Sequence, residues 1–207
     1  MVTVHAIEKY RNMIRVTFDD GRIYYLTKNM IQERPLVIGQ TVDELDFDKW
    51  ILMKQYRFAL DKAVRMLSVR ACSSGEIAQK LKRGGYSDET IKMVLYKLES
   101  NELLNDQDFT DQWVRYRTGQ KYGPRRIVQE LRIKGISNET AEKAVREINE
   151  DEKLEGAIMI ARKAAARVKP DDDLRKARRK ITAAIVRRGF DWETACQACD
   201  RILDSVE

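Results

Sequence analysis

Apolar residues recur in one frame three times along the chain: Ile77, Leu81, Gly85; Ile127, Leu131, Gly135; Ile181, Ile185, Gly189. Two apolar residues four apart share a helix face, and a glycine four further on suits the left-handed residue that ends a helix. The register runs on past each glycine. Tyr86, Ile136 and Phe190 come one residue later, and Ser87, Ser137 and Asp191 two later. The pairs Glu89-Thr90, Glu139-Thr140 and Glu193-Thr194 follow, and then Leu95/Leu98, Val145/Ile148 and Cys199/Ile202. The glycines lie 50 and then 54 residues apart, so one helical unit is used three times.

Each unit is expected to hold three helices. The first helices are expected over 50–71, 106–119 and 152–168, with Asp106 able to cap the second of them. The second helices open on Ser73-Ser74-Gly75-Glu76 as a capping box, on Gly123-Pro124, and on the Asp171–Asp173 run. The third helices begin at Ser87, Ser137 and Asp191, whose side-chain oxygens can accept from free N–H groups.

Residues 1–49 have a different period. Met13–Phe18 and Ile23–Leu26 are β-rich runs around Asp19-Asp20-Gly21-Arg22, a hairpin turn in which Gly21 supplies the positive φ. Val2–Val4 opens another extended run, and Leu36–Ile38 is a candidate third strand. Two or three strands do not stand alone, so this module is expected to pack on the first helix that follows. The expected fold is mainly α: three tandem three-helix repeats (50–104, 105–151 and 152–207) forming an elongated curved array, preceded by a small antiparallel β module at 1–49.

The chain has 207 residues, 43% hydrophobic and 35% charged, with a formal net charge of +6. Its basic excess lies in the repeats, which points to an anionic partner. No stretch is apolar enough to cross a bilayer, and no basic start leads into an apolar run, so a cytoplasmic protein with no membrane partner is expected. Three cysteines argue against a disulfide framework. Catalytic chemistry is sparse. The lone histidine, His5, excludes most triads and zinc sites. Cys196-x-x-Cys199 has metal-like spacing, but in the repeat frame Cys199 faces the core and Cys196 faces out. No phosphate loop or dinucleotide fingerprint occurs. The chain is expected not to be an enzyme and to need no cofactor or metal.

The second helices end in cations: Lys80, Lys82 and Arg83; Arg132 and Lys134; Arg187 and Arg188. Complementing the helix dipole explains these. Two denser clusters need more. Arg115, Arg117, Lys121, Arg125 and Arg126 bracket the loop 119–124, with Tyr116 and Tyr122 interleaved, and Arg175, Lys176, Arg178, Arg179 and Lys180 fill five of six positions. Such clusters suit phosphate or an acidic groove. A helix-turn-helix reader of DNA is disfavoured, because the third helices would present Asp88-Glu89, Asn138-Glu139 and Asp191-Glu193 to phosphates.

Three segments carry a family resemblance. They are Ala63-x-x-x-Leu67-x-x-Arg70-x-x-Ser73-x-x-Glu76; Leu103-Leu104-Asn105-Asp106-x-x-Phe109 with Trp113-Val114-x-x-Arg117; and Gly123-Pro124-Arg125-Arg126-Ile127-x-x-Glu130-Leu131-x-x-Lys134-Gly135-Ile136. The chain resembles the RecX family of regulatory proteins, best over about 54–150 and more loosely across the third repeat. The resemblance implies a monomeric inhibitor that binds the RecA–DNA filament and restrains its recombinase, ATPase and co-protease activities, modulating DNA repair and the SOS response. It further implies an elongated, curved body in the filament groove, and single- or double-stranded DNA as an additional partner. The contact residues expected on this reading are Arg70, Lys82, Arg83, Arg115, Arg117, Lys121, Tyr122, Arg125, Arg126, Lys134, Arg175, Lys176, Arg178, Arg179 and Lys180. A module acting on nucleic acid alone, or an adaptor for another helical protein, stays open beside it.

Overall fold

A computed structural model describes residues 1–168 and 173–204. The chain forms two compact units. The first comprises Met1–Cys72 with Glu76–Leu104, and the second comprises Ser73–Gly75 with Asn105–Glu207.

The first unit opens with a four-stranded antiparallel sheet of order β3-β2-β1-β4, built from β1 (Val2–Tyr10), β2 (Met13–Phe18), β3 (Ile23–Leu26) and β4 (Thr41–Val42). Gly21 turns the β2–β3 hairpin at φ +86°, as its place in the sequence predicts. The strand that flanks β1 on its other side differs from the sequence reading. It is Thr41–Val42, while Leu36 is buried outside any strand. A short helix, α1 (Lys28–Glu33), was not anticipated; six residues with one buried side chain, Met30, show no helical period. Alternating residues Val2, Val4, Val16, Phe18 and Leu26 bury one face of the sheet against Phe47 and Ile51 of α2 (Glu44–Val69). Phe18, Tyr24 and Phe47 meet edge to face with centroids 5.2–5.5 Å apart. The β module therefore does pack on the first long helix, which starts six residues earlier than its period suggests because Asp43 caps it at the Asp46 N–H.

The same helix then turns Ala59 and Ala63 into a second core with Ile77 and Leu81 of α3 (Ser74–Arg83) and Val94 and Leu98 of α4 (Asp88–Ser100). Buried Gln55 steadies the start of α4, its Oε1 accepting from the Ser87 N–H (3.2 Å) and the Thr90 hydroxyl (3.3 Å).

The second unit repeats this plan twice. Helices α5 (Asp106–Gly119), α6 (Pro124–Ile133) and α7 (Asn138–Arg146) enclose Phe109, Val114, Ile127 and Leu131; α8 (Glu150–Ala165), α9 (Leu174–Arg187) and α10 (Trp192–Leu203) enclose Ala157, Ile181, Ile185 and Cys199. All six apolar residues of the repeating stripe are 0% exposed, so the period marks core. Each buried aliphatic contributes about 1.5–3 kcal/mol. The turns are alike. Gly85, Gly135 and Gly189 take φ of +82°, +85° and +100°, and Ser87, Ser137 and Asp191 accept from the N–H groups of Thr90, Thr140 and Thr194. Asp173 caps α9 at the Lys176 N–H (2.7 Å); Asp171 and Asp172 of that run lie outside the described residues.

Asp106 does not cap its own helix. Asn105 does, accepting from the Gln107 and Asp108 N–H groups, while the Asp106 carboxylate accepts from the N–H (2.8 Å) and hydroxyl (2.5 Å) of Ser74 at the head of α3. An anion at that end is favoured by the exposed N–H groups and the helix dipole. Within the second unit a junction occurs in two aligned copies. The Ser73 hydroxyl donates to the Lys134 carbonyl (2.5 Å), and the Gly123 N–H donates to the Arg188 carbonyl (3.0 Å). In each copy the start of one second helix sits on the C-terminal turn of the following one. The approach is close enough to require glycine. A Cβ on Gly75 would stand 2.5 Å from the Gly135 Cα, and one on Gly123 would stand 2.2 Å from the Gly189 carbonyl carbon.

Gly123→Ala is therefore expected to destabilise the protein by about 1–3 kcal/mol, as overpacking against backbone does. Gly119→Ala, where a Cβ meets nothing within 4 Å, is expected to be neutral or stabilising by up to about 1 kcal/mol. Thermal melts of the two variants beside the parent decide it; equal melting temperatures for both would remove the junction from the account.

Candidate functional site

The cation-rich segment between α5 and α6 is folded around a carboxylate. Arg117, on the last turn of α5, directs Nε to Glu130 Oε2 at 2.6 Å and its Nη2 to Oε1 of the same carboxylate, while Nη1 reaches the Gln120 side chain at 2.7 Å. Both partners are about 85% buried, which makes this the most enclosed ion pair among the described residues. Arg126 donates to Glu130 as well, at 3.0 Å. Burial alone raises the Glu130 pKa and lowers that of Arg117. The hydrogen bonds reverse both effects, so Glu130 ends below its ordinary value and Arg117 above.

Tyr122 lies between two guanidinium groups, those of Arg117 and Arg188, each 3.8 Å from its ring centroid. Arg188 also donates to the Gln120 and Lys121 carbonyls, closing the loop whose Lys121 sits at φ +60°. Lys134 is placed over Trp113 at 4.1 Å and near Phe109 at 5.6 Å. Of the residues singled out by sequence, the fold thus brings Arg117, Tyr122, Arg126 and Lys134 into cation–aromatic and ionic contacts inside the second unit. The sequence reading missed Glu130 and Trp113 as their partners. Glu130 stands 13 residues from Arg117, across a turn, where no period of one helix links them.

The other candidates divide by surroundings. Arg70 is gripped by Glu76 at 3.0 and 3.1 Å, Lys82 meets Asp88 at 3.1 Å, and Arg178 meets Asp200 at 2.6 Å. The Lys82 and Arg178 pairs are exposed, each worth about 0–1 kcal/mol and open to exchange, whereas the Glu76 side chain that holds Arg70 is only 18% exposed. Arg115 shares a shallow cleft of about 340 Å³ with Asp111, Glu147 and Glu152, which suits it poorly to an anion. Arg83, Arg125, Arg175 and Arg179 are exposed, and their side chains make no ion pair among the described residues. On α9 the five cations of 175–180 are all exposed around buried Ala177, so the run is one charged face.

The third helices present carboxylates at their starts, with Asp88 and Glu89 on α4, Glu139 on α7 and Glu193 on α10. That end would repel a phosphate backbone. Cys199 is fully buried, which pushes its thiol pKa up, while Cys196 is half-buried. Among the described residues no group of three His, Cys, Asp or Glu side chains could hold a metal ion, and no helix is long and apolar enough to cross a membrane.

Three family models match in chain order: the first three-helix domain of RecX at residues 59–98, the second at 105–145 and the third at 150–199. The regulatory protein RecX of Prosthecochloris aestuarii is 39% identical over 148 residues, covering 71% of this chain and 95% of that protein. The regulatory protein RecX of Clostridioides difficile is 27% identical over 195 residues, covering 94% and 91%. A crystal structure of a regulatory protein RecX superposes with a TM-score of 0.67 at 21% identity, over 97% of this chain and all of that one; at this identity it speaks for the fold alone.

Glu130→Gln is expected to lower stability by about 1.5–3 kcal/mol, because it strands the enclosed Arg117 guanidinium. Since the folded carboxyl lies below its ordinary value of 4.5, its contribution is complete above that pH and fades as pH falls through the depressed value. Denaturant melts across the acid range should show the parent losing this increment while the variant, already without it, loses less. A variant as stable as the parent at neutral pH would show the pair to be dispensable.

Proposed function

Because the chain belongs to the RecX family of regulatory proteins, we propose that it binds the RecA–DNA filament and inhibits its recombinase, ATPase and co-protease activities, thereby moderating DNA repair and the SOS response. The observation that carries this reading is the ordered match of all three three-helix domains along one chain, joined to exposed arginines, Arg125, Arg175 and Arg179, that make no ion pair among the described residues. A filament repeats its subunits, and a chain of repeated helical units can touch more than one of them. Linked weak contacts then act at high effective concentration, so modest individual interfaces suffice.

Within this reading the work divides among the candidates. Arg125, Arg175 and Arg179, with Lys176, Arg178 and Lys180 on the same helix face, are the groups offered to an acidic filament surface or to its phosphates. Arg117, Tyr122, Arg126 and Lys134 brace the turns that carry them. Arg70, Lys82 and Arg83 belong to the first unit and meet the partner separately. The protein works in the cytoplasm as a monomer, with no cofactor and no catalytic step. A module reading base edges through its third helices is opposed by the carboxylates at their starts.

The test is RecA ATPase on single-stranded DNA, titrated with the parent and with Arg125→Glu combined with Arg175→Glu, two exposed positions outside the Glu130 network. The variant should fold normally and need on the order of tenfold more protein for half-inhibition, with a weaker dependence on salt. Unchanged inhibition by the folded variant would refute the assignment of these residues, and no inhibition by the parent would refute the function.

A further inference from the structure

The strand order β3-β2-β1-β4 leaves β3 paired on one side only. The Phe18 N–H donates to the Arg22 carbonyl, and the ladder alternates from there. Arg22, Tyr24 and Leu26 therefore face β2, while Ile23 and Tyr25 turn their backbone N–H and C=O groups outwards. Among the described residues nothing takes these groups up. Edge strands are commonly blunted by lysine, proline or a covering element. The uncovered stretch of β1 follows that rule with Glu8 and Lys9. Strand β3, Ile23-Tyr24-Tyr25-Leu26, carries neither charge nor proline, and Ile23 is 48% exposed.

A cleft of about 610 Å³ runs along this edge, with α2 as its floor and the α3–α4 turn as its far wall. Ile23, Tyr24 and Tyr25 all line it. Successive side chains of a strand point to opposite faces, so a cleft that touches three in a row follows the edge and neither face. On the floor Asp48 and Gln55, seven residues apart, share one face of α2. Gln55 is 5% exposed, and its Oε1 is turned to the Ser87 N–H and the Thr90 hydroxyl. Its Nε2 is thereby left towards the cleft, with no partner among the described residues. An enclosed amide donor without an acceptor is costly, and a carbonyl entering the cleft would satisfy it. The charge here is negative, although the whole chain carries +6. Arg22 meets Asp20, Glu44 and Asp48 at once; across the cleft Lys82 meets Asp88, and Glu89 makes no ion pair among the described residues. Burial first, and then the hydrogen bond to Asp48, push the Tyr24 phenol up to about 12, so it stays protonated and donating.

We propose that this edge takes up an extended basic peptide of a partner protein as a fifth strand of the sheet. Ile23 and Tyr25 pair with its backbone, the Gln55 Nε2 donates to one of its carbonyls, and Asp48 and Glu89 receive its lysine or arginine side chains. Strand addition draws affinity from main-chain hydrogen bonds and specificity from alternate side chains, and here both halves are on the same cleft. The stems of basic side chains also pack well on tyrosine rings, which Tyr24 and Tyr25 supply. Nucleic acid is the wrong ligand for this cleft, because its phosphates would face the carboxylates. The N-terminal sheet thereby acquires a partner opposite in charge to the one that the exposed arginines serve, and no filament is needed for it.

Fluorescence anisotropy of a labelled peptide of about eight alternating threonine and lysine residues, titrated with the full chain alone, reads the site. The parent should bind it saturably. The same peptide N-methylated throughout keeps its charges but loses its main-chain donors, and should bind on the order of tenfold more weakly. Glu89→Lys, at an exposed position, should weaken binding of the unmethylated peptide on the order of tenfold as well. Ile23→Pro removes one outward N–H and spares the ladder to β2, so it should also weaken binding. If that variant fails to fold by circular dichroism, the methylated peptide on the parent decides the backbone contribution. Absent binding, a methylated peptide or a Glu89→Lys variant that binds like its reference, or equal binding of a threonine–glutamate peptide would each overturn the proposal. Displacement of the peptide by spermidine at equal charge concentration would overturn it too, by showing a site for a small organic cation and not for a strand.

Discussion

The constraint on which this fold depends is a left-handed glycine at the end of each second helix. Helices of 10 to 14 residues are marginal alone, so α3, α6 and α9 persist only by packing. Each turn must reverse the chain within four residues, so that a stripe such as Ile127 and Leu131 meets Ala141 and Ala144 on the next helix. At φ near +85° any other residue is strained, and at Gly135 and Gly189 a side chain would also strike the Gly75 Cα or the Arg126 Cβ. One backbone geometry thus closes the three-helix unit and forms the seat for the start of the preceding second helix. Changing the glycine affects both at once.

Charge is sorted by the same turns. A cation just before the glycine, Lys134 or Arg188, is drawn back over Trp113 or Tyr122, and Arg188 there also donates to the Gln120 and Lys121 carbonyls. Glu130 then takes Arg117 and Arg126. This internal neutralisation explains how a segment with five cations in twelve residues avoids self-repulsion, and it leaves Arg125 exposed without an ion pair among the described residues. Density of cations in the sequence and availability of cations on the surface are therefore different quantities here.

The repeat was legible because it lives in periods of 3.6 and in backbone signals: stripe, glycine and cap each leave a local mark, and all three are found where the sequence puts them. Elements without such marks were not legible. Helix α1 buries one side chain, β4 is two residues long, and α2 begins at an acidic cap inside a segment that looked like a connection. The site shows the same division. The clusters stood out by composition, but which members are committed was decided by contacts across turns, such as Arg117 to Glu130, and by Asp106 serving α3 instead of α5. Composition reports how many charges there are. Only the tertiary fold reports how many are already paired.

Helix α2 shows why the N-terminal sheet belongs to the first unit's design. Its 26 residues serve two cores in succession, Phe47 and Ile51 under the sheet and Ala59 and Ala63 in the helical bundle, with Gln55 at the crossover binding the head of α4. Small residues at the second site let α3 and α4 approach, whereas the aromatic end needs the sheet to cover it. Without the strands Phe47, Trp50 and Ile51 would lie open to water, an apolar patch adjoining the bundle. The sheet is thus required by the very helix it covers, and the edge of β3 is held beside Gln55 by packing that the stability of the first repeat already demands.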